Sequence, residues 1–392
     1  MTEPLGQSQV VPYLRGLVRA GWVIDLVAFE PAAADEDKIR DVVAHLRDDG
    51  INYIWSRRRA SHGLSAKAAD ATEALGRALS RALVHRPRIV HARSYLPGAV
   101  AKVVATLVPG ARFIFDCRGL VGEEYIDFAH WTREDVRYRL VKRYEKVLFG
   151  RADAVVTLTQ SLRDWLRTER LISSHTLVEV IPCCADLDRF RPDALNRAAA
   201  RSRLGAADRF VLTYSGSLGS YYCDEELATL FSFIRRRRPA QLAVFTRGDT
   251  DRLRAALVRE GVADDDVWIG AVEPQDMPKM LAGADAAASL IQPWFSKIAS
   301  SPTKCAEYLG VGLPVVANRG VGDMDALVAS SPAMVDAGRM SRDELDRAAE
   351  TVIARAGQPE VPAEARRLAV AEFDLEKVGV SRYLRLYEKL LG

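Results

Sequence analysis

The chain has 392 residues, 48% of them hydrophobic and 27% charged, which excludes a disordered or fibrous protein and is too long for one ordinary core. A formal net charge of only +3 argues against nucleic acid as the main partner. Five cysteines (Cys117, Cys183, Cys184, Cys223, Cys305) with no C-x-x-C spacing indicate neither a disulfide framework nor a zinc site, and they fit a reducing, cytoplasmic setting.

In chain order, the pattern predicts a helix from Ser8 to Arg19, stopped at Gly21. Strands follow at Val23–Phe29, Ile51–Trp55, Arg88–His91, Arg112–Asp116 and Ala154–Leu158. Helices at Asp37–Arg47, Ala71–Val84, Gly98–Thr106 and Tyr138–Phe149 separate them. The proline-bracketed, charged segment Ile181–Asp193 reads as a domain boundary. A second series of strands then runs through Phe210–Tyr214, Leu242–Phe245, Val267–Ile269, Ala286–Ile291 and Val315–Asn318, again with helices between. Leu375–Leu391 closes the chain as an amphipathic helix. Strand–helix alternation with near-continuous apolar strands means parallel, doubly wound sheets. The expectation is α/β: residues 1–185 with the helix 374–392 packing back, and residues 186–373, facing each other across a cleft. No run of about eighteen apolar residues offers a membrane span, and Met1-Thr2-Glu3-Pro4 lacks the flank and core of a signal peptide. Arg57-Arg58-Arg59 and Arg235–Arg238 read as solvated charge runs, the first also able to meet anionic lipid or phosphate.

The most informative stretch is Ser300-Ser301-Pro302-Thr303-Lys304-Cys305-Ala306-Glu307, followed by Gly312-Leu313-Pro314 and the strand Val315–Asn318. It reads as a loop entering a helix, with Ser301 as N-cap and Pro302 at the first helical position. Free first-turn amides and the helix dipole make an anion site, to which Lys304 adds a full charge. Glu307 lies one turn deeper on the same side. Phosphates at the amides of Ser300, Ser301 and Thr303 and at Lys304, with ribose hydroxyls at Glu307, is the nucleotide reading; a capped helix with a surface Lys–Glu pair is the plain alternative.

Several stretches together resemble the retaining glycosyltransferases of family 4, which have the GT-B fold. Pro4-Leu5-Gly6-Gln7-Ser8-Gln9 is similar to the glycine loop that opens the first acceptor-domain helix. Phe115-Asp116-Cys117-Arg118-Gly119, with Glu124 and Asp127 behind it, resembles the D-x-R-G acceptor loop of one branch. Ile181–Phe190 resembles the interdomain linker, and Tyr214-Ser215-Gly216-Ser217-Leu218-Gly219 the glycine turn of the donor domain. Ser300–Asn318, then Gly320–Asp323, resembles the nucleotide-sugar signature. The resemblance implies transfer of a sugar from a UDP- or GDP-sugar, held by the second domain, to an acceptor held by the first, with retention and without a metal. A saccharide, a lipid-linked saccharide and a small natural product are all open as acceptors, and contact with the inner face of a membrane is among the expectations.

The sequence departs from that pattern in three places. A strand normally precedes the Gly6 loop, whereas this sequence opens within it, so either the start is misplaced or the first sheet lacks a central strand. Ala299 stands where a second Glu is common, and Tyr221 and Tyr222 stand where a basic pair is usual. Lys297, Arg247 and Lys304 are the replacement cations.

For the leaving diphosphate, the candidates are Lys304, Arg247, Lys297, the turn at Gly216, Ser217 and Gly219, and the Ser300–Thr303 amides. For the acceptor they are Gly6, His91, Arg118 and Glu124. Asp116, at a strand end, either orients the sugar or takes the acceptor's proton, and Arg118 either holds an acidic group or shapes the loop. The D-x-D triplets Asp186–Asp188, Asp249–Asp251 and Asp323–Asp325 read as linker and helix caps, and no metal is expected. Two other readings remain: a sugar-nucleotide epimerase on the same fold, and a binding subunit without turnover.

Overall fold

The computed structural model describes residues 1–61 and 63–392. It divides into two compact units, Met1–Pro182 with Leu375–Gly392, and Cys183–Asp374. The division falls slightly earlier than Ala185 because Cys183 and Ala185 are tied into the second unit. The Cys183 amide donates to Ser301 Oγ at 3.1 Å, and the Ala185 amide to the Phe373 carbonyl at 3.0 Å.

In the first unit, the predicted helix Ser8–Arg19 is instead two helices, α1 (Pro4–Gln9) and α2 (Val11–Arg19). Pro12 explains the break at Val10: it has no N–H to give, and its ring crowds the carbonyl four residues back. The remaining helices are α3 (Glu36–Asp48), α4 (Leu64–His85), α5 (Tyr95–Leu107), α6 (Val121–Asp127), α7 (Val136–Arg151) and α8 (Gln160–Thr168). The strands are β1 (Ile24–Glu30), β2 (Ile51–Arg57), β3 (Ile89–Arg93), β4 (Arg112–Asp116), β5 (Ala154–Thr157) and the unpredicted β6 (Leu177–Val180). They form two separate parallel ladders, β1–β2 and β3–β4–β5–β6. The split corresponds to one of the two expected alternatives, a first sheet without a central strand. Side chains tie the β1–β2 piece to its surroundings. Asp25 of β1 takes Arg81 of α4 at 3.1 Å, and the buried Glu30 receives the Met1 amino group, the Thr2 amide and hydroxyl, and Tyr53. The C-terminal segment begins with a π-helical turn, Leu375–Val380, and only Ser381–Leu391 is α-helical. Val380 sits so close to Gly16 that a Cβ there would overlap its side chain.

The second unit holds α9 (Ala194–Leu204), α10 (Asp224–Arg237), α11 (Asp251–Arg259), α12 (Met277–Leu281), α13 (Thr303–Gly310), α14 (Met324–Ser330), α15 (Arg342–Ala356) and α16 (Val361–Phe373). Its strands are β7 (Phe210–Ser215), β8 (Ala240–Phe245), β9 (Val267–Gly270), β10 (Ala286–Ser289), β11 (Val315–Ala317) and the unpredicted β12 (Met334–Asp336). They make one six-stranded parallel sheet in the order β12-β11-β10-β7-β8-β9. β7 and β8 are buried along their whole length because apolar layers cover both faces. Leu204, Leu281, Tyr308 and Phe373 pack on one side, and Leu230, Leu253 and Val352 on the other.

Candidate functional site

The second unit reverses its winding between β7 and β10: β8 and β9 extend to one side of β7, β10 to β12 to the other. Such a switch point leaves a crevice beyond the carboxyl ends of the strands. Two chain segments meet there, the turn after β7 and the stretch that leads from β10 into α13. They are fastened together twice. Tyr308 of α13 accepts from the Ser215 amide at 2.6 Å and shares a hydrogen bond with Ser215 Oγ at 2.9 Å. Tyr222 bridges to Ile291, and the Gln292 amide donates to the Tyr221 carbonyl at 2.8 Å.

Gly216 has φ +117°, a conformation that side chains disfavour, and a Cβ on it would stand 3.3 Å from Lys304 Nζ. Glycine here lets the backbone and the amine approach each other. Lys304 is 8% exposed, and its Nζ has no hydrogen-bond partner. It lies instead over two ring faces, 3.9 Å from the centroid of Tyr214 and 4.4 Å from that of Tyr222. Burial drives its pKa down to about 7, against the pull of Cys305, Glu307 and Asp224. Glu307 keeps partial exposure, and burial raises its pKa to about 7, with Lys304 and Arg189 opposing. Nearby, the Gly219 amide donates to both carboxylate oxygens of the buried Asp224, at 3.1 and 3.0 Å.

The predicted cap requires a correction. Pro302 is the N-cap and α13 begins at Thr303, one residue later than expected, because the Ser301 hydroxyl is engaged by the Cys183 amide. No side chain caps α13, and the Cys305 amide donates to the Pro302 carbonyl at 3.0 Å, so the amides of Thr303 and Lys304 are left for a ligand. The Ser300 amide is not among them; it donates to the Lys297 carbonyl at 3.0 Å. The Ser217 carbonyl accepts from the Tyr214 hydroxyl. Lys297 is 2% exposed, with Nζ 3.8 Å from the Tyr221 ring centroid, so a second cation lies against the loop whose Tyr222 covers the first. Arg247 follows β8 but is exposed and paired with Glu273 at 2.7 Å, and the structure does not bring it to Lys304. Asp186, Asp249 and Asp325 accept backbone amides, but neither α11 nor α14 has a side-chain cap: their N-cap residues are Thr250 and Asp323, and Asp325 accepts from Gly320, ahead of the helix.

In the first unit, Asp116 ends β4 and is 2% exposed. One oxygen lies 3.2 Å from Arg118 Nε; the other accepts from the Tyr383 hydroxyl at 3.0 Å and lies 3.5 Å from His91 Nε2. Burial opposes ionisation, but Arg118, His91 and Arg93 outweigh it and hold the carboxyl well below the usual range. A carboxylate of that kind is a weak base and a firm anchor. His91 is itself held, with Nδ1 2.7 Å from the Tyr387 hydroxyl. Glu124 folds back on the loop, 3.2 Å from where a Gly119 Cβ would be. Gly6 departs from expectation: it lies inside α1 rather than in a loop, since Pro4 starts a helix there and Met1 packs on the glycine. Tyr214, Asp224, Tyr308, Tyr383 and Tyr387 escaped the sequence reading. The i, i+4 pair of tyrosines on the last amphipathic helix was the one available signal.

Residues 7–184 match the family model described as a glycosyl transferase 4-like domain. No curated protein matches the chain in sequence. Among solved structures, sucrose-phosphate synthase from Thermosynechococcus elongatus superimposes with a TM-score of 0.75 at 16% identity, over 96% of this chain and 91% of that one. Anabaena HepE in complex with UDP gives a TM-score of 0.72 at 17% identity, over 99% and 98% of the two chains. A glycosyltransferase from Rickettsia africae gives 0.71 at 14% identity, over 97% and 93%. At these identities the likeness is one of fold.

Proposed function

From a chain that has the GT-B fold and carries a glycosyl transferase 4-like domain over residues 7–184, we propose a glycosyltransferase that takes a sugar from a nucleotide diphosphate donor bound beside Lys304. One observation carries the reading: an unpartnered, buried amine stands at the sheet's switch point, against a glycine turn and an uncapped helix start. Among the described residues none hydrogen-bonds Lys304 Nζ, and a diphosphate would. Arrival of phosphate oxygens restores its proton and engages the amides of Thr303 and Lys304. Charge that develops on the leaving diphosphate then falls on donors already in place, which lowers the barrier more than it tightens donor binding. Glu307 takes the ribose hydroxyls. Asp116, locked by Arg118, His91 and Tyr383, orients the acceptor loop rather than removing a proton. We take the reaction to retain anomeric configuration and to need no metal, with UDP- or GDP-hexose as donor and a saccharide, lipid-linked or small-molecule acceptor. HepE, solved also with UDP-glucose, supports a uridine donor as the first to try.

The test is a thermal-shift series with uridine, guanosine, adenosine and thymidine diphosphates. At about a hundredfold over its dissociation constant, the right base adds roughly 2.7 kcal/mol. Lys304→Ala and Glu307→Ala each remove most of that shift while the ligand-free protein stays folded. A parent-like response from both variants would overturn the placement. Incubation of the parent with UDP-hexose, read for a new glycosidic bond, separates transfer from epimerisation and from binding without turnover.

A further inference from the structure

Thirteen large hydrophobic side chains are exposed among the described residues, and eight of them lie on just three helices, α4, α5 and α7. These helices share one face. α5 joins β3 to β4 and α7 joins β4 to β5, both by right-handed crossovers advancing in the same direction, and α4 packs on α5. Val84 of α4 is 75% exposed, Leu107 of α5 55% and Leu140 of α7 61%. Val103 and Val147 lie on the same outer surfaces.

Within α5 and α7 the exposed charge has one sign. α5 contains no Asp or Glu, and the only acid within α7, Glu145, is buried and paired with Lys142 at 2.5 Å. Arg139, Arg143, Lys146 and Arg151 of α7 are exposed, and none has a carboxylate of the described residues within ion-pair distance. Half-exposed aromatics continue the surface where α7 begins: Trp131 stacks on Tyr125 with centroids 4.0 Å apart, and Arg137 lies over the Trp131 ring. In the arginine run read as a solvated stretch also able to meet anions, Arg57 donates to the carbonyls of Ala32 and Ala34 and Arg59 pairs with Asp70.

We infer that the outer face of α5 and α7, with the end of α4, docks this protein on an anionic lipid bilayer. Free cations alone would suit any polyanion. Aliphatic side chains set among them gain only where they leave water, and aromatics at the rim match the depth of lipid headgroups. The inference is independent of the donor site, because membrane binding needs no nucleotide.

Sedimentation of the full chain with vesicles tests it. Vesicles of phosphatidylcholine with added phosphatidylglycerol should carry the protein down, vesicles of phosphatidylcholine alone should carry little, and raised salt should release it. A cation near such a surface is worth about fivefold in affinity, so Arg143→Ala with Lys146→Ala should weaken binding ~25-fold. Leu140→Glu with Val147→Glu, both on the outer surface of α7, should abolish it while the circular dichroism spectrum stays that of the parent. Leu195→Glu, more exposed still at 93% but in the second unit, should bind like the parent. Failure to bind the anionic vesicles overturns the inference, as does parent-like binding by the Leu140/Val147 variant. Tighter binding to duplex DNA than to vesicles, unaffected by the Leu140/Val147 variant, would make the face a polyanion surface instead.

Discussion

Lys304 and Glu307 stand three residues apart on α13, and burial moves their pKa values toward each other, both to about 7. A diphosphate needs the amine charged, and ribose hydroxyls are best accepted by the ionised acid. Affinity for the cognate nucleotide should therefore peak near pH 7 and fall by up to tenfold per unit on either side. Glu307→Gln should flatten the acid limb and Lys304→Met the basic limb, as titration calorimetry across pH would show. The same amine sets a stability dependence. Between about pH 7 and the ordinary lysine value near 10.4, the unfolded chain binds a proton that the native site does not, so stability rises with pH across that window. Below pH 7 the penalty is fully present. Lys304→Met should accordingly raise the melting temperature of the ligand-free protein at pH 7 and below, by a few kcal/mol in stability, with the advantage fading toward pH 10. Tyr222→Phe keeps the ring under the amine and should bind nucleotide like the parent. Tyr222→Leu removes it and should move the basic limb.

At the scale of elements, α13 and the turn after β7 were both legible as motifs, because helix starts and glycine turns are written in local sequence. Their joining was not. Tyr308 fastens α13 to Ser215 across 93 positions, and no periodicity announces such a bond. For the same reason Ser301 was read as a cap: its local sequence fits, but a tertiary partner, the Cys183 amide, takes the hydroxyl. Pro12 was a legible helix break that the apolar pattern of Ser8–Arg19 concealed. β6 and β12 have only four and three residues, too few for a strand pattern to stand out. Gly216→Ala tests the joint between the two elements. It forces a side chain into a left-handed conformation and against Lys304, and it should weaken nucleotide binding at least tenfold while costing on the order of 1–3 kcal/mol in stability. Denaturation and calorimetry on one preparation would show both.

For the whole molecule, the two units each hold a buried core of their own, and such chains seldom unfold in one step. Scanning calorimetry should resolve two transitions, and the cognate nucleotide should raise the one that belongs to Cys183–Asp374. A uniform upward shift of both would contradict a donor site built within that unit. The sequence by itself determined the class of fold and marked the segment around Lys304 as a candidate, since strand periodicity, helix signals and turn glycines act over a few residues. Only the tertiary structure decided which charges are desolvated, which are paired and which face water: Arg247 went to a surface pair, Asp116 to a locked cluster, and Lys304 to a cage of rings. Those outcomes depend on what chain-distant side chains do with the space around a group, and the energy of a charge is set by that surrounding rather than by its neighbours in sequence.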